Sequence, residues 1–142
     1  MSFVDASVIV AILNEEPGFE ELEKRLGEAG RQFYVSPLVR FEAVAALVRL
    51  RLVATEHKVD RATLIADARE LVDGFFQALK AREIALDHGI GIGALDAMAS
   101  YGKMSGHAAQ LNLGDCFAYA AAAAHRLPLI YKGSDFAHTD LA

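Results

Sequence analysis

The stretch from Leu111 to Phe136 constrains this chain most. Leu-Asn-Leu-Gly-Asp115-Cys-Phe-Ala-Tyr-Ala runs through further alanines to Arg126-Leu-Pro-Leu-Ile-Tyr-Lys-Gly-Ser-Asp135-Phe. It reads as loop, apolar helix, tight link, a short strand over Leu129, Ile130 and Tyr131, and loop. An acid stands at each end, Asp115 where the helix opens and Asp135 after the strand, with no acid between Asp115 and Arg126. A carboxylate at the positive end of a helix macrodipole is favoured in its ionised form, the form a metal ligand needs. The same carboxylate also suits a plain helix cap, so Asp115 alone leaves both readings open.

Two further acids bear on that choice. Phe3-Val-Asp5-Ala-Ser7-Val-Ile-Val puts an acid and a hydroxyl inside an apolar run that suits a buried parallel strand ending in a loop. Leu38-Val-Arg-Phe-Glu42-Ala-Val-Ala-Ala-Leu-Val reads as helix, and the residues three and four positions from Glu42 are Leu38, Val39, Ala45 and Ala46. Glu42 therefore points with the apolar face, where an unpaired charge is costly and needs a cation or strong donors. Three isolated acids in apolar settings imply one shared cation.

In chain order, a strand over Ser2 to Val4 leads into a brief apolar segment ending at Leu13, a turn at Asn14 to Gly18, and an amphipathic helix from Phe19 to Ala29. Phe33 to Val35 is a second strand. Ser36-Pro37 then opens the Glu42 helix, which runs to about Val53 with Arg40, Arg49 and Arg51 on its outer side. A polar bend over residues 55–60 precedes a long helix from Arg61 to Leu79. The wide apolar stripe of that helix, Leu64 to Leu79, reads as core or as a partner patch. Arg82 to Leu86 is a candidate third strand, and the three glycines between Asp87 and Gly93 predict a break. Asp96 opens a helix from about Ala94 to Tyr101, as a cap or as an additional site acid. Gly102 to His107 reads as a flexible basic loop.

Short strands alternating with helices predict an α/β fold, a three-layer α/β/α sandwich around a central, mostly parallel sheet. In such sheets ligands gather beyond the carboxyl ends of the strands. A length of 142 residues with neither repeat nor linker suits a single domain over 1–142, and 54% hydrophobic content makes it core-rich. The longest apolar run, Cys116 to Ala124, falls short of the about 20 residues that a spanning helix needs, and Asp5 interrupts any signal-peptide pattern. A cytoplasmic protein with no membrane contact is expected. A lone cysteine, Cys116, agrees with a reducing compartment and reads as small buried filler rather than nucleophile. The five histidines lack zinc spacing, and there is neither a Walker loop nor a Gly-x-Ser-x-Gly elbow. The net charge of −5 does not exclude nucleic acid: of 19 acids, setting aside Asp5, Glu42, Asp115 and Asp135 leaves 15 against 14 bases.

The order Val-Asp-Ala-Ser, Glu42 in the second long helix, Leu-Asn-Leu-Gly-Asp-Cys-Phe-Ala-Tyr-Ala and Leu-Pro-Leu-Ile-Tyr-Lys-Gly-Ser-Asp-Phe resembles the PIN-domain family, specifically the VapC-type toxins of toxin–antitoxin pairs. The resemblance covers essentially the whole chain, and Gly-Asp-Cys with the downstream Lys-Gly-x-Asp-Phe is its most specific part. It implies a magnesium-dependent ribonuclease, with manganese as the alternative ion, a cognate VapB-type antitoxin, an RNA substrate and a homodimer. Carried onto this chain, Asp5 and Asp115 are the principal metal ligands, Glu42 is ligand or water orienter, Asp135 is the fourth catalytic acid and Ser7 is a hydroxyl support. Many members have the last acid slightly earlier, where this chain has Gly133 and Ser134, so the fourth place falls to Asp135 or is shared with Asp96. Lys103, His107 and Lys132 are candidate substrate-phosphate contacts. The antitoxin is expected on the apolar surface of residues 38–79, with a basic side chain reaching the acids. The competing class is a non-catalytic interaction protein on the same fold, its acids serving as caps and as a dock for basic partner segments.

Overall fold

The computed structural model describes residues 1–55 and 58–141. Four strands form one sheet in the order β3-β2-β1-β4, every neighbouring pair parallel: β1 (Ser2–Val4), β2 (Phe33–Val35), β3 (Arg82–Glu83) and β4 (Leu129–Ile130). The register sets Phe3 against Leu129, Val4 against Ile130, and Tyr34 against both Phe3 and Arg82. A strand with parallel neighbours on both sides is covered on both faces, which is why Ser2, Phe3 and Val4 are all buried.

Parallel strands need crossovers, and the helices supply them. Helices α1 (Ala6–Leu13) and α2 (Phe19–Glu28) join β1 to β2; α3 (Pro37–Ala54) and α4 (Arg61–Leu79) join β2 to β3; α5 (His88–Tyr101) and α6 (Leu113–Ala124) join β3 to β4. The expected three-layer α/β/α arrangement is the one observed. Successive strands step away from β1 on one side, and β4 then returns to pair on its other side. The carboxyl ends of β1 and β4 therefore flank the point where the winding reverses, the place where such sheets leave a crevice.

Local chemistry accounts for the element boundaries. Ser36 caps α3, its hydroxyl oxygen accepting the Val39 N–H at 3.1 Å, with Pro37 in the first turn where a missing N–H costs nothing. Asp60 caps α4 in the same way, accepting from Ala62 N at 3.3 Å. Helix α4 buries Leu64, Ala68, Val72 and Phe76 at helical spacing, while Ile65 and Leu71 stay exposed; its stripe is thus core along one edge and surface along the other. Arg40 is not an outer-face residue. Its guanidinium pairs with Asp73 of α4 and Glu83 of β3 and lies 4.6 Å from the centre of the Phe76 ring, joining three elements.

Four local expectations are corrected. The apolar segment after β1 is a full helix, because Asp5 turns the chain and caps α1 rather than extending a strand. The glycines at 89, 91 and 93 lie inside α5, which begins at His88 because the Asp87 carboxylate accepts the Ile90 N–H at 2.9 Å. Asp96 is therefore a mid-helix residue, not a cap. The basic segment is not a plain loop: Lys103–Ser105 forms a single 3-10 turn, and Gly102 bridges Leu111. A Cβ at Gly102 would overlap the Met98 backbone, so the α5 exit requires glycine. The expected bend over 55–60 lies partly outside the described residues. Among those described, no helix is long and apolar enough to cross a membrane.

Candidate functional site

The crevice between β1 and β4 gathers the acids. Asp5 follows β1 immediately, and its backbone N–H donates to Ile130 O at 3.0 Å, fixing it at the seam with β4. Its carboxylate accepts the Ser7 N–H at 3.1 Å, capping α1. Asp5 is buried, and burial raises its pKa; hydrogen bonds from Ser7 and Ala6 pull the other way, and the Asp135 charge adds to the rise.

Asp115 enters from the start of α6. Asn112 caps that helix, its side-chain oxygen accepting Asp115 N at 3.0 Å while Asp115 Oδ2 accepts Asn112 N at 3.1 Å, a reciprocal capping box. The two sequence readings of this residue are thus compatible, because one carboxylate oxygen closes the box and the other remains. Burial dominates, and with the Asp5 and Asp135 charges it outweighs the bond to Asn112, lifting the carboxyl to about 6.

Glu42 reaches the same place from α3, and its carboxylate lies directly on Gly114, the residue before Asp115. A Cβ at position 114 would collide with all three atoms of that carboxylate, so only glycine lets the Glu42 carboxylate keep this place. Burial is the main cause, and the charges of Asp5 and Asp115 the next, of a Glu42 pKa of about 7, with Arg49 opposing them. Asp5, Glu42 and Asp115 thus act on one another's charge, and Asp135, exposed in the loop after β4, acts on Asp5 and Asp115.

These residues fit a hard divalent cation. The donors are carboxylate oxygens only, mutually repelling and partly desolvated, and Gly114 clears room for one of them. Among the described residues no three potential ligands already converge on a single point.

The other candidates separate. Ser7 belongs here: besides its N–H to Asp5, its hydroxyl oxygen accepts the Lys132 N–H at 3.0 Å. Lys132 lines the hollow beside Glu42 and is ion-paired with Glu16. Lys103 lies elsewhere, in an apolar hollow with Leu95, Met98 and Phe117. His107 packs edge-on to Tyr101, its Nδ1 accepting the Ala109 N–H at 3.0 Å. Asp96 is exposed on α5, in a hollow with Tyr101 and Tyr119, and is not among the charges acting on the cluster. The sequence reading passed over Arg49, placed on the outer side, and Phe41 and Glu16, all of which line the Glu42 hollow. The signal was present, since positions 42, 45, 46 and 49 share one helical face.

The PIN domain profile matches residues 2–141. A VapC ribonuclease of Rhizobium meliloti (strain 1021) is 70% identical over 141 residues, covering 99% of each chain. Ribonuclease VapC42 of Mycobacterium tuberculosis is 33% identical over 138 residues, covering 97% of this chain and 95% of its own. In fold, the chain is similar to Mycobacterium tuberculosis VapC20, a sarcin–ricin loop cleaving toxin, with a TM-score of 0.73 at 12% identity over 96% of this chain and 93% of that one. It is also similar to a chain of a toxin–antitoxin complex from Klebsiella pneumoniae, with a TM-score of 0.67 at 17% identity over 99% and 94%. With a family profile and a 70% identical relative both spanning nearly its whole length, this chain belongs to the PIN-domain family, among the VapC ribonucleases.

Proposed function

We propose that the protein is a magnesium-dependent endoribonuclease toxin, one PIN domain acting in the cytoplasm and neutralised by a cognate VapB-type antitoxin. The observation that carries this reading is the seating of the Glu42 carboxylate on Gly114, within electrostatic reach of Asp5 and Asp115. Three acids held in mutual repulsion at a sheet's switch point are a poor structural device and a good cation site.

Asp5 and Asp115 would hold the ion, Glu42 would ligate it or orient an attacking water, and Asp135 would add negative charge from the loop. A bound magnesium ion supplies an acidified water and charge relief on the phosphoryl oxygens. Ser7 keeps Asp5 and the β4 loop in register through its two hydrogen bonds. The burial of Asp5 and Asp115 keeps bulk water from screening their charges.

The test pairs RNA cleavage with thermal melting under magnesium or manganese titration. Metal-linked stabilisation and cleavage in the wild type, both lost in Asp5→Asn, support the enzyme. A melting curve indifferent to metal together with no cleavage ends the reading in favour of a non-catalytic interaction protein, and cleavage undiminished in excess chelator ends the metal mechanism.

A further inference from the structure

The hollow beside the acids contains groups that a metal site does not use. Along α3, Glu42, Ala45, Ala46 and Arg49 line an open cavity of about 380 Å³, a size within the range of pockets that hold small ligands. The two alanines leave its floor uncovered. Phe41 stands at its rim with 72% of its surface exposed. Of the two cations in the cavity, Lys132 is engaged by Glu16, whereas among the described residues no carboxylate lies within ion-pair distance of Arg49. The Arg49 charge nonetheless acts on Glu42, so the guanidinium stands within electrostatic reach of that acid.

A single exposed phenylalanine is ordinary. Phe41 differs in its company, since a flat uncovered ring, a guanidinium without a carboxylate partner and the acid cluster share one concavity. An amphipathic partner helix would need a continuous apolar face, and here the walls alternate with Glu16, Glu42, Arg49 and Lys132. A nucleotide, with an apolar base face and an anionic phosphate, matches both groups.

The geometry points to a nucleotide subsite: Phe41 stacks an unpaired base next to the scissile bond, and Arg49 takes the adjoining phosphate. This inference rests on the ribonuclease reading and requires the base at Phe41 to be unpaired, because a base inside a duplex offers no free face.

The probe is a fluorescein-labelled single-stranded RNA of about twelve nucleotides, titrated against the full chain carrying Asp5→Asn, with magnesium, at several salt concentrations. Phe41→Ala weakens binding about tenfold at an unchanged salt slope, and Phe41→Trp restores it. Arg49→Gln lowers the salt slope by about 0.7. In the otherwise wild-type enzyme, Phe41→Ala raises KM with little change in kcat, and a duplex of the same sequence competes poorly. Cleavage by the wild type with RNA binding unaffected by both substitutions overturns the subsite and leaves the ribonuclease standing. Binding that depends on both residues without cleavage under magnesium or manganese keeps the subsite and removes the ribonuclease. Phe41→Ala that spares RNA binding and abolishes antitoxin binding makes the hollow a protein dock and overturns the inference.

Discussion

The Ser7 hydroxyl oxygen accepts the Lys132 backbone N–H at 3.0 Å, joining the first turn of α1 to the loop after β4 across 125 residues of sequence. The loop carrying Asp135 is thereby held by the same residue whose N–H holds Asp5. Ser7→Ala removes one part-buried hydrogen bond, expected to cost about 1 kcal/mol and a few degrees of Tm. Cleavage should fall by more than the loss of folded protein explains, which parallel melting and kinetic measurements on one preparation will show.

Gly114→Ala introduces a methyl group where the Glu42 carboxylate lies. Alanine favours helix over glycine by about 1 kcal/mol, so a variant that melts no higher than wild type and loses cleavage at least about tenfold, near 1.4 kcal/mol of barrier, identifies the collision as the cause. Adding Glu42→Ala should recover melting temperature without recovering activity. An active Gly114→Ala enzyme contradicts the assigned place of Glu42.

The acids make metal-free stability depend on pH. The Glu42 carboxyl titrates near 7 in the fold against an ordinary value of 4.5, and Asp115 near 6 against 3.8. In those windows the folded chain holds more protons than the unfolded one, so stability is greatest below pH 4 as far as these two groups are concerned and falls as pH rises through 6 and 7. For Glu42, which water partly reaches and screens, the loss is about 1–2 kcal/mol. Chemical denaturation in chelator across pH 5 to 8 should show this fall, and Glu42→Gln should flatten it. Magnesium should stabilise more at pH 8 than at pH 6, since ligands must be deprotonated.

Amide substitutions rank the acids. Asp5→Asn and Asp115→Asn remove charge and keep shape, and each should abolish cleavage and weaken magnesium binding while preserving the fold. Asp135→Asn should lose less, its carboxylate being exposed and its influence only electrostatic. Asp96→Asn should match wild type. Titration calorimetry with magnesium beside cleavage rates will order the four.

The fold was legible where period and punctuation agree: Ser36-Pro37 marks the α3 start, and the Leu64 to Phe76 spacing marks α4. It was misread where one side chain overrides a local rule. Three glycines predict a break, yet the Asp87 cap and burial of Ile90, Ala94 and Ala97 carry α5 through them. The strand end before Asp5 was legible, but the helix that Asp5 caps was not, because an apolar run from Ala6 to Leu13 carries no other start signal. Proximity of the acids had to wait for coordinates, since Glu42 and Asp115 meet through Gly114, whose role is invisible without its neighbour. Arg49 lay in reach of helical arithmetic from Glu42, but a charge near the end of an amphipathic helix looks like solvent-facing surface until the hollow it lines is seen.

The strand order places β1 between β2 and β4, so residue 3 waits for residue 129 before its outer edge is paired. During translation the seam that brings Asp5 to the β4 loop is therefore the last to close. A nascent chain on the ribosome, whether paused or broken off before β4, carries Asp5, Glu42 and Asp115 without the strand that aligns them.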